Sequence, residues 1–189
     1  MDLKKNKPAL LLIDIQKGLD QWEFYGGNRN NPQAEKNAAK FLDRWRALKL
    51  PVYHVRHSSQ NTESPLHASS SGFDIKNEVL PIENEPIITK NVNSAFIGTD
   101  LEHQLREAGI TTVVVVGLTT NHCISTSVRM SANLGFKTYL ISDATATFDR
   151  VGLNGEVFDA ELIHQTTLAS LNEEFATILT TETCLSKLS

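Results

Sequence analysis

The chain has 189 residues, 40% hydrophobic and 21% charged, enough for one core of ordinary single-domain size. Its formal net charge of -4 comes from acids and bases scattered along the whole length, so no basic stripe exists to grip a phosphate backbone and nucleic acid is not an expected partner. No stretch approaches the roughly 20 apolar residues that span a bilayer, and two cysteines are too few for a disulfide framework, so a reducing cytoplasm is the expected compartment.

The N-terminal MDLKKNKPALLLID is broken by Asp14 with no small-residue cleavage site behind it, so it reads as a buried strand rather than a secretory signal. Short apolar runs recur: PALLLIDI (8–15), PVYHV (51–55), PIIT (86–89), TTVVVVG (111–117), KTYLISD (137–143) and FATILT (175–180). Between them lie segments of helical period, NPQAEKNAAKFLDRWRALK, GTDLEHQLREAG, NHCISTSVRMSANLG and FDAELIHQTTLASL. Asn31-Pro32 is a cap and first-turn pair, Thr99-Asp100-Leu101-Glu102 fits a capping box, and Gly109 and Gly135 stand where helix C-caps belong. Strands apolar on both faces, separated by helices, predict a doubly wound α/β domain with a parallel sheet of about six strands, spanning residues 1–189 as one unit. The connection from Arg56 to Glu85 is rich in Ser, Asn and Pro, with a turn or two of helix at FDIKNEVL; its length predicts a role in shaping a site.

Ligands of open parallel sheets bind beyond the carboxyl ends of the strands, which directs attention to three residues. Asp14 ends the first run, Lys90 follows PIIT, and Cys123 follows TTVVVVG after a short turn. Each has a plainer reading: a structural carboxylate, a solvated lysine, a small buried thiol. A nucleophile, a base and a cation at strand ends on one edge are together more than packing requires. Gly117 lets the chain leave its strand sharply, Thr120 or Asn121 can cap the next helix, and Cys123 then falls in the first turn. There the helix dipole and Lys90 would favour thiolate, Asp14 could accept the thiol proton, and turn amides could face an oxyanion.

The motifs LLIDIQ around Asp14, PVYHVRH, ITKNVNSAF around Lys90, VVVVGLTTNHCIST around Cys123 and the ending DATATF…LASL…FATI cover nearly the whole chain. On these residues the sequence resembles the isochorismatase-like cysteine hydrolases, the superfamily of nicotinamidases and N-carbamoylsarcosine amidohydrolase. The resemblance implies a Rossmann-like fold of three αβα layers. It also implies Asp14 as general base, Lys90 assisting thiolate formation, and Cys123 attacking a carbonyl carbon to form a thioester that water hydrolyses. A cis peptide at Leu118-Thr119 and an oxyanion hole from the Thr119 and Cys123 N–H groups are further implications, as is a homo-oligomer, dimer or tetramer. Metal-dependent nicotinamidases carry Asp-x-His and a further His where this chain has His57-Ser58-Ser59, so no metal is expected. Having Cys123 favours the C–N bond of a small-molecule amide, ureide or carbamoyl substrate. The alternatives are a vinyl ether hydrolase with Asp14 as acid, and a thiol sensor without turnover.

Other residues carry weaker signals. His54 and His57, three apart on a strand, point to opposite faces and read as a buried and a loop histidine rather than shared metal ligands. His122 adjoins Cys123, but neighbours on a helix do not face each other, which places it in the cleft wall rather than as the base. Trp22, Phe24 and Phe96 are candidates to wall the pocket, Arg56 to hold a substrate carboxylate, and Gln16 to contact substrate or orient Asp14. Cys184 reads as an unreactive or exposed tail residue. Gly26-Gly27 matches no dinucleotide fingerprint, and no cofactor is expected.

Overall fold

The computed structural model describes residues 6–188. Its strands are β1 (Ala9–Ile13), β2 (Val52–His57), β3 (Ile87–Lys90), β4 (Thr112–Leu118), β5 (Lys137–Ala146), a two-residue pair β6 (Arg150–Val151) and β7 (Val157–Phe158), and β8 (Thr177–Leu179). Six of them form one sheet in the order β3-β2-β1-β4-β5-β8, with all neighbours parallel; β6 and β7 make a separate antiparallel hairpin. The strand order reverses between β1 and β4, and that reversal opens the crevice in which such sheets hold ligands. The hairpin escapes sequence reading because two-residue strands have no period to detect.

Helices α1 (Trp22–Tyr25), α2 (Ala34–Ala47), α3 (Leu101–Glu107), α4 (Ser125–Asn133), α5 (Ala160–Leu171) and α6 (Thr181–Ser186) complete the three layers. Alternation along the central strands explains why their runs are continuously apolar. Leu10, Leu12, Val114 and Val116 pack with Phe41 and Trp45 of α2 and Cys184 of α6. Ala9, Leu11, Ile13, Val113 and Val115 pack with Leu101 and Leu105 of α3, Val128 of α4 and Leu168 of α5. Burying one such side chain is worth about 1.5–3 kcal/mol, so both helix layers are held by many small, similar terms. Cys184 is therefore core, fully buried, and not a tail residue.

Two helix starts differ from expectation. α2 begins at Ala34 without a side-chain cap; Asn31, in the left-handed region at φ 44°, donates instead to the Ser142 and Thr145 carbonyls, tying the helix entry to β5. Ahead of α3, the Thr99 hydroxyl donates back to the Ala95 carbonyl rather than closing a capping box. The left-handed glycines Gly109 and Gly135 do follow α3 and α4.

Glu35 of α2 is buried and accepts from Arg29 at 2.8 and 2.6 Å and from Lys76 at 2.7 Å. Burial by itself would raise its carboxyl; the two cations outweigh it and hold Glu35 at about 2, against an ordinary value of 4.5. A depressed carboxylate contributes stability that is complete above pH 4.5 and is lost as pH falls toward 2. Melting temperature against pH should therefore drop through that window. Glu35→Gln should start lower and drop less; an unchanged acid limb would place the loss elsewhere.

Candidate active site

Asp14 leaves β1 in the left-handed region at φ 52°, its N–H donating to the Val55 carbonyl at 2.8 Å, with only 2% of its surface exposed. Its Oδ2 accepts from Lys90 Nζ at 2.7 Å. Lys90 ends β3, two strands away, and its side chain reaches back over the end of β2, where His57 is its register partner. The ammonium also meets His57 Nδ1 at 3.2 Å and Cys123 Sγ at 3.3 Å. Three donors thus meet three partners. Burial alone would lower the Lys90 ammonium; Asp14 and Cys123 overcome it and hold it above its ordinary value, charged. Burial is also the main cause that lowers His57, seconded by Lys90, so the imidazole is neutral and can accept at Nδ1.

Cys123 sits in a wide turn over Thr120–Ile124 that precedes α4. The Ile124 N–H bonds the Thr119 carbonyl at 3.2 Å, one residue further back than in an α-helix. Thr120 and Asn121 do not cap. Thr120 Oγ1 bonds His164 Nδ1 of α5 at 2.9 Å, and Asn121 Oδ1 accepts from Thr147 Oγ1, so both side chains anchor the turn to its neighbours. Gly117 has φ 130°, and a Cβ there would overlap the Ile13 carbonyl oxygen; glycine lets β4 run close enough to β1 to bring the turn against Asp14. The Leu118–Thr119 peptide is cis. Against the sequence expectation, the thiol is pushed up, not down. Burial is the largest cause, the Asp14 carboxylate adds to it, and Lys90 opposes both without winning.

A cavity of about 180 Å³ opens on this cluster. Asp14, His57, Asn93, His122 and Cys123 provide its polar face, and Leu19, Tyr25, Leu66, Leu118 and Phe148 its apolar walls, with Arg150 of the hairpin also lining it. The structure thus brings together Asp14, Lys90, Cys123, Leu118, Thr119 and His122. His122 is lowered by burial and by Arg150, and its Nδ1 stands 3.4 Å from Thr119 Oγ1.

Five expected substrate contacts lie elsewhere. Gln16 is fully buried and used up on backbone, donating to the His57 and Phe73 carbonyls and accepting the His57 N–H, so it clamps β1 to β2. Trp22 and Phe24 are 42% and 51% exposed on the outer side of α1. Arg56 lies over the Phe73 ring at 4.3 Å and bonds Thr89, because β2 runs two residues past its apolar run and alternation turns His57, not Arg56, to the cavity. Phe96 stacks on Phe136 within the core. His57 is correspondingly a strand residue at the site and not a loop histidine, whereas His54 is buried against Glu85 at 2.8 Å.

Asp14, His57 and Cys123 offer donor atoms within 4.8 Å of one another, a grouping that could suggest a metal. Lys90 Nζ already touches all three. A divalent ion would meet a buried, charged ammonium at the same point, so these residues do not fit one.

Comparison with known proteins identifies the family and the fold. The isochorismatase domain model matches residues 8–183. The uncharacterized isochorismatase family protein YrdC of Bacillus subtilis is 51% identical over 178 residues, 94% of each chain, and Nicotinamidase 3 of Arabidopsis thaliana is 29% identical over 89% of this chain and 82% of its own. A crystal structure of an isochorismatase-family protein from Chromobacterium violaceum superposes with a TM-score of 0.94 at 39% identity, covering 100% of this chain and 96% of the other. The chain belongs to the isochorismatase family, a family of hydrolases, and has its α/β fold.

Proposed function

We propose that this hydrolase is metal-independent and cleaves a C–N bond of a small amide, ureide or carbamoyl compound through a thioester on Cys123. The observation that carries the reading is the buried Lys90 ammonium bridging Asp14 at 2.7 Å and Cys123 at 3.3 Å, two residues that line the cavity. Asp14 Oδ2 is committed to Lys90, while Oδ1 is buried and accepts no hydrogen bond, leaving one carboxylate oxygen free as base. Because the resting thiol is pushed up, its proton leaves as attack proceeds, passing to Asp14 Oδ1 while Lys90 stabilises the thiolate character at sulfur.

Sulfur bonds to the carbonyl carbon and the C=O electron pair moves to oxygen, facing the Thr119 and Cys123 N–H groups. Collapse breaks the C–N bond, and nitrogen takes the proton from Asp14. Water then gives a proton to Asp14 and its oxygen to the thioester, and the thiolate leaves and is reprotonated. The similarity to a nicotinamidase supports an amide as the bond cleaved. Incubation with a panel of small amides, ureides and carbamoyl compounds should release ammonia or amine, and rapid acid quench should show an acyl adduct on the Cys123 peptide by mass spectrometry. Turnover without any such adduct would sink the thioester.

A further inference from the structure

Four buried side-chain polar atoms among the described residues have no hydrogen-bond partner, and two of them belong to residues of this one cavity: Asp14 Oδ1 and the Tyr25 hydroxyl. Buried polar groups are ordinarily satisfied, so an orphaned pair lining a ligand cavity marks where a ligand's own groups belong. Tyr25 is firmly placed. Its ring stacks on Phe148 with centroids 5.2 Å apart at 23° and meets the edge of Phe24 at 5.0 Å. Burial, seconded by the Asp14 carboxylate, pushes its phenol up to about 12, so it is neutral at working pH; it lines the same cavity as Asp14 and Cys123.

An ionised carboxylate only accepts hydrogen bonds, and a phenolic oxygen has lone pairs to accept one as well. Two unpartnered acceptors on residues that line the nucleophile's cavity suit a ligand group with two N–H donors. We propose that Tyr25 is a substrate-contacting specificity residue whose Oη accepts one N–H of the leaving amino group, so that the enzyme selects unsubstituted –CO–NH2 ends. This rests on the cysteine hydrolase reading above. In the tetrahedral intermediate the same bond turns the nitrogen lone pair toward Asp14. As the C–N bond breaks, its electron pair goes to nitrogen, the proton held on Asp14 Oδ1 follows, and ammonia leaves. A nitrogen with no N–H can make neither contact.

The test does not need the natural substrate. Alkylation of Cys123 is timed with iodoacetamide, which carries the –CO–NH2 group, and with methyl iodoacetate, which has no N–H. Each rate is divided by that for glutathione to remove intrinsic reactivity. The parent protein should favour iodoacetamide, and Tyr25→Phe should cut that preference about five-fold, as expected for one hydrogen bond, with methyl iodoacetate unchanged. Tyr25→Phe should melt no lower than the parent, because it removes a hydroxyl that has no partner in the free protein; a purely structural tyrosine would show a lowered melting temperature and no change in reagent preference. A preference that is absent, or the same in both proteins, while Cys123 is alkylated overturns the Tyr25 assignment and leaves the nucleophile standing. No labelling of Cys123 by either reagent overturns the nucleophile, and the Tyr25 assignment with it.

Discussion

Replacing Cys123 with alanine is expected to remove hydrolysis of any substrate the panel reveals, by roughly four to six orders of magnitude in kcat, as when the nucleophile of a cooperating set is deleted. The size follows from the arrangement: Asp14 and Lys90 have no other nucleophile to serve, since the nearest polar groups of the cavity are an amide, a neutral imidazole and hydroxyls. Stability should change little, because Cys123 is only partly buried and its sulfur makes two long contacts, to Lys90 and to Asn93 Oδ1 at 3.7 Å. Loss of activity with an unaltered melting temperature is the expected pair of results. Activity that survives Cys123→Ala but disappears in Asp14→Asn would reassign the chemistry to Asp14 as an acid, the mode suited to a vinyl ether.

Lys90→Met should have the largest effect on stability of any single change at the site. It keeps the length and packing of the side chain but leaves the Asp14 carboxylate 2% exposed without its cation. Breaking a buried pair from one side typically costs about 3–5 kcal/mol. Denaturant unfolding of Lys90→Met should show a loss of that order, and adding Asp14→Asn to it should recover part of the loss, because the carboxylate then no longer needs a partner. A strictly additive double variant would mean that the two groups do not interact. Activity should be lost in both.

The sequence made the sheet legible because β1 and β4 are buried on both faces, and their unbroken apolar runs cannot be solvated strands. Asp14 was legible for the same reason, since a polar residue at the end of such a run has to meet something, and Lys90 and Cys123 stood out as a cation and a thiol just beyond apolar runs of the same sheet. Tyr25 was not, because α1 is four residues inside a loop, too short for a helical period to say which of Trp22, Phe24 and Tyr25 turns inward. His57 was misplaced because β2 outruns its apolar stretch, with Arg56 and His57 only half-buried. Phe96 looked the same as a pocket aromatic because burial in a core and burial against a ligand select the same residue type. The protonation of Cys123 depends on burial and on a carboxylate brought from far along the chain, which a local motif with a favourable helix end cannot reveal.

Asp14 and Lys90 are 76 positions apart and Lys90 and Cys123 are 33; Asp14 follows β1, Lys90 ends β3 and Cys123 lies in the turn after β4, so three strands of a parallel sheet must be in place to bring them together. Parallel neighbours can pair only after long crossovers have closed, and such distant pairings form slowly, whereas α2 and α4 make their backbone bonds locally. Helical circular dichroism should therefore recover before enzymatic competence in a refolding experiment. Until β4 has joined β1 and β3 has joined β2, Asp14, Lys90 and Cys123 stay apart, so the return of hydrolysis serves as a clock for the last stage of folding.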